Sequence, residues 1–288
     1  MMLRSLASGP TPLSSLRLLL RTFEAKLGLG LVFAVLLIIL VGPLVAPYPP
    51  TAVNVTTANS GPTAGHLLGG DHLGRDVLSR FLLGGKNIII IPFLSVTFAY
   101  VAAALVAIIS TYKGGIADVI FGRAIEILQT LPGIFVTLLM VATFGPSTTV
   151  LVFAIAIASF PGAARIVRGA VLSQLGLDYI YAAEARGENV VTIAIREIFP
   201  NIVDTILADF TLRITWAILG LSTLSFLGLG AQPPHPDWGL MVQEGRGFLQ
   251  SAPLVLIAPA VALASLSIGL CLIGDALSRL QSGQIGRY

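Results

Sequence analysis

Thirty-eight consecutive residues, 127–164, carry no charged side chain. An α-helix rises about 1.5 Å per residue, so about 20 residues cross the hydrocarbon core of a bilayer. The run is therefore too long for one membrane helix, and Gly145-Pro146-Ser147 divides it into two predicted spans. Only 11% of the 288 residues are charged, against about 25% in a soluble domain, which predicts a polytopic membrane protein.

Four other apolar runs bring the predicted number of transmembrane helices to six. The first, residues 27–46, has twenty residues without a charge, whereas the apolar region of a signal peptide has only about 7 to 15. The other three runs are residues 87–112, 202–228 and 253–274. The predicted fold class is therefore all-α, and an even number of spans places both termini on one side of the membrane.

Lysine and arginine residues are distributed unequally between the two sides. Twelve lie in the N-terminal tail, the 113–123 turn, the 165–200 loop and the C-terminal tail, whereas four lie in the opposite segments. Cytoplasmic loops carry the excess of these residues. Both termini and the 165–200 loop are therefore predicted to be cytoplasmic.

The runs also predict how the chain is divided. The segments are a basic cytoplasmic amphipathic tail (1–26), the first spanning helix (27–46), an external loop with a short helix (47–86), a five-helix core (87–280) that includes a cytoplasmic loop at 178–201, and a second cytoplasmic tail (281–288).

The 178–201 loop is the longest charge-rich segment between apolar runs. Asp178 is predicted to cap a short helix, and Gly187 permits a left-handed turn after it. Residues 190–199 predict a second short helix, which Pro200 is expected to end. The prediction is a helix-turn-helix elbow at the membrane surface.

This elbow resembles the cytoplasmic coupling loop of binding-protein-dependent ABC importer permeases, which docks into a cleft of an ATPase subunit. The resemblance is carried by the alanine pair, the glycine four residues later and the proline thirteen residues after the glycine. It implies ATPase-coupling roles for Tyr181, Ala182, Ala183, Glu184, Gly187 and Pro200.

Two predicted external segments resemble the peptide and nickel class of the same permeases. The first carries the signature residues His66, Gly69, Asp71, Gly74, Arg75 and Asp76, and the second extends over residues 225–246. Apolar residues at helical spacing predict that the charged residues of the first motif belong to a short external helix, half packed and half in water. Trp238, in the second segment, suits the membrane interface.

The resemblance covers about residues 27–280 and implies the architecture of a type I ABC importer permease. The implied partners are a paralogous permease, two cytoplasmic ATPases, an extracytoplasmic solute-binding protein and membrane lipid, with no nucleic acid. This chain would be the second permease of the pair, in a bacterial or archaeal plasma (inner) membrane. The solute most often carried by this class is a di- or oligopeptide, and a nickel chelate or another small solute is the alternative.

Two positions depart from the family pattern. The glutamate that usually opens the elbow helix is Tyr181, and a glutamate usual shortly before the second external segment is Leu221. The roles of those acidic residues are therefore not transferred to this chain.

Catalysis by the chain itself is not expected. No G-x-x-x-x-G-K-[ST] phosphate loop, G-x-S-x-G elbow or H-E-x-x-H pair occurs. The three histidines follow no metal-ligand spacing, so no metal site is predicted. The chain is predicted to hold no cofactor, and ATP and Mg would be bound by the partner ATPases.

Asp209 and Arg213 stand four residues apart in the fifth predicted span. Arg213 lies about 18 Å along the helix from Asn201, near or past mid-bilayer, where an unpaired arginine costs at least about 2.5 to 3.5 kcal/mol. We therefore predict that the two residues pair and face protein or a water-filled path. Sequence leaves open whether this face borders the pathway or the pair is purely structural.

Two other functional classes remain alternatives at this stage. An ion-coupled secondary transporter would be expected to carry an unpaired acidic residue near mid-membrane and often an inverted repeat. Only Asp204 and Asp209 approach the first description, and no inverted repeat is detected. A structural membrane scaffold predicts no transport defect on deletion. Co-purification from native membranes discriminates between the first of these and the ATP-driven importer.

Overall fold

A computed structural model of the protein describes residues 22–281. Most of the predicted tail at 1–26 and all but the first residue of the predicted tail at 281–288 lie outside these residues. Within 22–281 the chain forms helices and turns, with isolated bridges at Thr63 to His66 and Gly70 to Asp76 but no β-strand. The predicted all-helical fold class is confirmed.

The helices are α1 (Phe23–Val45), α2 (Val77–Gly84), α3 (Lys86–Lys113), α4 (Gly115–Thr130), α5 (Gly133–Phe144), α6 (Thr148–Gln174), α7 (Asp178–Ala185), α8 (Val190–Ile193), a π-helical turn (Ala194–Ile198), α9 (Phe199–Phe226), α10 (Trp238–Gly245), a 3-10 turn (Arg246–Phe248) and α11 (Leu254–Gln281).

Four helical segments are long and apolar enough to cross a membrane: Phe23–Val45, Val77–Lys113, Thr148–Gln174 and Leu254–Arg279. A fifth candidate is the pair α4 and α5, which are bent by 79° relative to each other. Helix α9 has 28 residues but contains three charged side chains and is not among these candidates. The count of six spans and the cytoplasmic termini therefore stay predictions.

The third predicted span is not one straight helix. The expected division at Gly145-Pro146-Ser147 is confirmed, because α5 ends at Phe144 and α6 begins at Thr148. The chain also breaks at Leu131, which is extended at φ −84° and ψ 120°. A residue before proline is driven out of the helical region by the proline ring, so Pro132 places the bend between α4 and α5.

The core of the bundle lies between α3, α6, α9 and α11, with α1 packed against α11. Small side chains line the contact of α3 with α6, where Ala103 and Ala107 of one helix and Ala163 and Ala164 of the other are fully buried. Small residues let membrane helices approach closely, because packing rather than water exclusion holds such helices together. The large exposed apolar side chains lie on the outside of this bundle.

Candidate functional site

The 178–201 loop presents an exposed surface on one side of a buried anchor. Ile180 and Ala183 of α7 are buried, whereas Tyr181 and Ala182 are exposed. Gly187 follows α7 with φ 73°, which confirms the predicted left-handed turn. No atom lies within 4 Å of the place where a Cβ of Gly187 would stand. Glycine is therefore favoured at this position by its positive φ and not by a lack of space for a side chain.

Polar contacts hold the loop against the bundle. The Tyr112 hydroxyl at the end of α3 donates a hydrogen bond of 2.8 Å to Glu184 Oε1. Arg186 bonds the carboxylates of Glu188 and Glu197 at 2.7 and 3.3 Å, and so links the turn to the π-helical segment. Asn189 caps α8 by accepting a 2.8 Å hydrogen bond from the Thr192 amide.

Two details of the predicted elbow are wrong. Leu177, not Asp178, is the N-cap of α7, and the cap makes no side-chain hydrogen bond. Pro200 does not end a helix, because α8 continues through the π-helical turn into α9 with Pro200 in its first turn. Helix α8, the π-helical turn and α9 therefore follow one another without a break in the helical backbone.

The external signature forms a compact, buried loop rather than the predicted helix. Asp76 caps α2, accepting hydrogen bonds from the Ser79 amide at 2.8 Å and hydroxyl at 2.7 Å. His66 Nδ1 lies 2.9 Å from the other carboxylate oxygen of Asp76. Gly69 and Gly74 occupy the turns of this loop at φ 81° and 66°. Helix α2 begins only at Val77, so the predicted half-wet helix carrying Asp71 and Arg75 is wrong.

Four charged residues are joined in this buried region. Arg75 Nε lies 2.6 Å from Asp71 Oδ2, and its Nη2 lies 3.2 Å from both Glu244 oxygens. Arg80 Nη2 lies 2.9 Å from Glu244 Oε2, and its Nε is 3.3 Å from Asp71 Oδ2. The side chains of Asp71, Arg75 and Arg80 are at most 2% exposed. We call Asp71, Arg75, Arg80 and Glu244 the external charge cluster.

Sequence reasoning missed Arg80 and Glu244, although both lie beside the recognised motifs. Trp238 was wrongly placed at the membrane interface, since it is fully buried and its Nε1 donates a 2.8 Å hydrogen bond to the Phe81 carbonyl. Asp237 caps α10, and burial raises the pKa of its carboxyl above the ordinary range. The available signal was the five charged residues in the two external segments that had no assigned site role: Arg80, Lys86, Asp237, Glu244 and Arg246.

One group of potential metal ligands occurs among residues 22–281. Atoms of Asp71, His72 and Glu244 lie within 4.8 Å of one another. Both carboxylates already accept hydrogen bonds from Arg75, and Arg80 approaches both. Because these guanidinium groups neutralise the carboxylates, we assign no metal to this group.

The predicted pairing of Asp209 with Arg213 is confirmed, and the pair has a third member. Arg213 Nε lies 2.5 Å from Asp209 Oδ2, and both side chains are 22% exposed. Tyr100 of α3 donates a short hydrogen bond to Asp209 and accepts one of 3.2 Å from Arg213 Nε. A tyrosine in the middle of an uncharged run was the overlooked signal for this partner. The neighbouring helix α3 therefore supplies one hydrogen-bond partner to both members of the pair.

Removal of one charge tests whether this pair is needed for assembly. Arg213→Leu leaves the Asp209 carboxylate in the membrane with Tyr100 as its remaining partner, at a cost of about 2.5 to 3.5 kcal/mol. We expect at least about a tenfold loss of assembled complex, measured by affinity purification from membranes. The matched control, Arg213→Leu with Asp209→Asn, removes both charges and should restore assembly. Assembly of Arg213→Leu at the wild-type level contradicts the prediction.

The two departures from the family pattern lie in different environments. Tyr181 is 58% exposed on the outer face of α7. Leu221 is buried in α9, at 1% exposure. A glutamate at position 221 would need a partner, so the apolar residue fits its surroundings.

The family model and the relatives that match this chain are all components of transport systems. Residues 95–286 match the family described as "Binding-protein-dependent transport system inner membrane component". The dipeptide transport system permease protein DppC of Haemophilus influenzae is 34% identical over 259 residues, which are 88% of each chain. The glutathione transport system permease protein GsiD of Pectobacterium atrosepticum is 39% identical over 219 residues, covering 76% of this chain and 73% of the relative.

A third relative, DppC of Alkalihalophilus pseudofirmus, is 34% identical over 253 residues, covering 88% of this chain and 83% of the relative. Among solved structures, an amino acid ABC transporter crystallised with histidines matches with a TM-score of 0.49 and 21% identity. That match covers 73% of this chain and 94% of the transporter chain.

Proposed function

Because the chain belongs to the family of binding-protein-dependent transport system inner membrane components, we propose that it forms half of the solute pathway of an ATP-driven importer of di- or oligopeptides. A paralogous permease forms the other half, two cytoplasmic ATPases bind and hydrolyse ATP, and an extracytoplasmic binding protein delivers the solute. The chain itself is a non-enzymatic, multi-pass component of the inner membrane.

One observation carries the coupling part of this proposal. The exposed elbow is joined without a break, through α8 and the π-helical turn, to α9, which carries Asp209 and Arg213. A displacement of the elbow by closing ATPases is therefore transmitted to the membrane helix as a rigid-body movement. We propose that this movement switches the pathway between outward-open and inward-open states.

Two features support the choice of peptides and of ATP as the energy source. The two kinds of relative are named for dipeptide and glutathione transport, and glutathione is itself a peptide. An ion-coupled carrier would be expected to carry an unpaired acidic residue in the membrane. Asp209 is not such a residue, because its carboxylate accepts hydrogen bonds from Arg213 and Tyr100.

Co-purification tests the proposed assembly. We expect the tagged chain, extracted from native membranes, to bring down one paralogous permease and ATPase subunits in a ratio of two ATPases to each permease pair. In proteoliposomes this complex should import a dipeptide only with both ATP and its binding protein. Transport driven by an ion gradient without ATPase partners would overturn the proposal in favour of a secondary carrier.

A further inference from the structure

Arg213 lies at the centre of α9, as the fifteenth of its 28 residues, and only one side of its guanidinium group is used within the chain. Nε bonds Asp209 and Tyr100. Within residues 22–281, Nη1 and Nη2 donate no hydrogen bond to another side chain or to the backbone. These two nitrogens carry four N–H donors, and such donors need acceptors at membrane depth.

The terminal nitrogens lie against α6. They lie directly over Gly162, where an added Cβ would stand 2.8 Å from both Cζ and Nη2 of Arg213. Only a glycine lets the guanidinium group come this close to the α6 backbone. The acid on one side and the glycine on the other therefore hold the guanidinium plane in one orientation.

The same guanidinium group borders a cavity of about 290 Å³ between α5, α6 and α9. Its lining includes Gly133, Thr137, Ser159, Trp216 and Gly220, and contains no acidic residue. Trp216 is 74% exposed, so the cavity opens to the outside of the single chain. A positively charged side chain therefore borders an accessible space whose lining, among residues 22–281, contains no acidic residue.

We propose that Nη1 and Nη2 of Arg213 bind the carboxylate of the transported solute as it passes through the membrane. A guanidinium group matches a carboxylate with two parallel hydrogen bonds, and it keeps its charge at every physiological pH. The solute class is then a small peptide with a free C-terminal carboxylate. Asp209 and Tyr100 are positioning residues, since they hold Nε while the other two nitrogens bind the solute. This inference rests on the proposed import function.

Chemical modification of Arg213 tests the binding site directly. The purified complex, without binding protein, is treated with phenylglyoxal in its nucleotide-free and ATP-bound states, and modification is measured by mass spectrometry of the Arg213 peptide. A millimolar mixture of dipeptides should slow the modification at least about twofold, the effect of half occupancy of a millimolar site. The same mixture with amidated C-termini should not. Exposed Arg246 is the internal control and should react equally in all samples.

Each other outcome overturns the inference. Equal protection by acids and amides shows that no carboxylate is recognised, and no protection shows that no solute binds there. If Arg213 does not react in either state, its guanidinium group is closed off in the complex and no solute can reach it. Dipeptide import by the complete system, measured in parallel, separates these failures from a failure of the proposed function, because import without protection rejects only the site.

A pair of glycine variants tests the orientation of the guanidinium group. Gly162→Ala places a methyl group against Cζ and displaces the terminal nitrogens, whereas Gly169→Ala on the same helix adds a methyl group with no atom within 4 Å. We expect Gly162→Ala to lower the affinity for the dipeptide acids at least about tenfold, as for loss of a charge-assisted hydrogen bond. Gly169→Ala should bind like the wild type. Equal affinity in both variants contradicts the inference.

Discussion

Gly187→Val is expected to separate ATP hydrolysis from solute uptake while leaving the complex assembled. Gly187 has φ 73°, and a β-branched residue resists this conformation by about 1 to 2 kcal/mol or more. The penalty falls on the angle between α7 and α8, because a Cβ at this position meets no other atom of residues 22–281 within 4 Å. The turn is therefore expected to open without unfolding the bundle.

The measurement is the number of solute molecules imported per ATP hydrolysed in proteoliposomes. A penalty of about 1.4 kcal/mol reduces the population of the native turn about tenfold, so the ratio should fall by roughly that factor. Gly187→Asn is the matched control, since asparagine tolerates the left-handed conformation and should keep most of the coupling. If the valine variant imports as many solute molecules per ATP as the wild type, this turn has no coupling role.

Glu244→Gln is expected to destabilise the external region more than any exposed charge substitution. Glu244 bonds both Arg75 and Arg80, which are 2% and 1% exposed. Without it, Asp71 is the remaining carboxylate for two buried guanidinium groups, and Arg80 Nε and Nη1 already lack hydrogen-bond partners. Breaking a buried ion pair from one side costs about 3 to 5 kcal/mol, because an uncompensated charge stays buried.

The thermal midpoint and yield of the complex in detergent measure this loss. The matched control is Glu126→Gln, which breaks the ion pair between Glu126 and Arg123. These side chains are 66% and 75% exposed, so the loss should lower the free energy of unfolding by less than about 1 kcal/mol. Adding Arg80→Gln to Glu244→Gln restores neutrality and should recover much of the stability. If Glu244→Gln and Glu126→Gln behave alike, the external charge cluster does not stabilise the fold.

The features predicted correctly from the sequence are those that depend on neighbouring residues. Uncharged runs of about 20 residues predict membrane helices because the hydrocarbon core excludes charge over a set thickness. A glycine between two short helical patterns predicts the left-handed turn at Gly187. Asp209 and Arg213 pair because a spacing of four residues places two side chains on the same face of any α-helix. None of these needs knowledge of how the helices pack.

The features that sequence reasoning missed involve residues far apart in the chain. Arg75 and Glu244 are 169 positions apart, and Tyr100 and Asp209 are 109 apart. Burial reversed the expectation for Asp71 and Trp238, which were predicted to be half in water or at the membrane interface but are enclosed. Pro200 was expected to end a helix and instead lies in the first turn of α9.

Sequence by itself thus determined the all-helical class, most of the apolar segments, the elbow turn and one ion pair, because short-range geometry and the hydrophobicity of local segments specify them. Only the tertiary structure decided the external charge cluster and the orientation of Arg213 toward Gly162 and its cavity. The physical reason is that a hydrogen-bond partner is chosen by distance in space. That distance is set by the packing of whole helices, which no local pattern encodes.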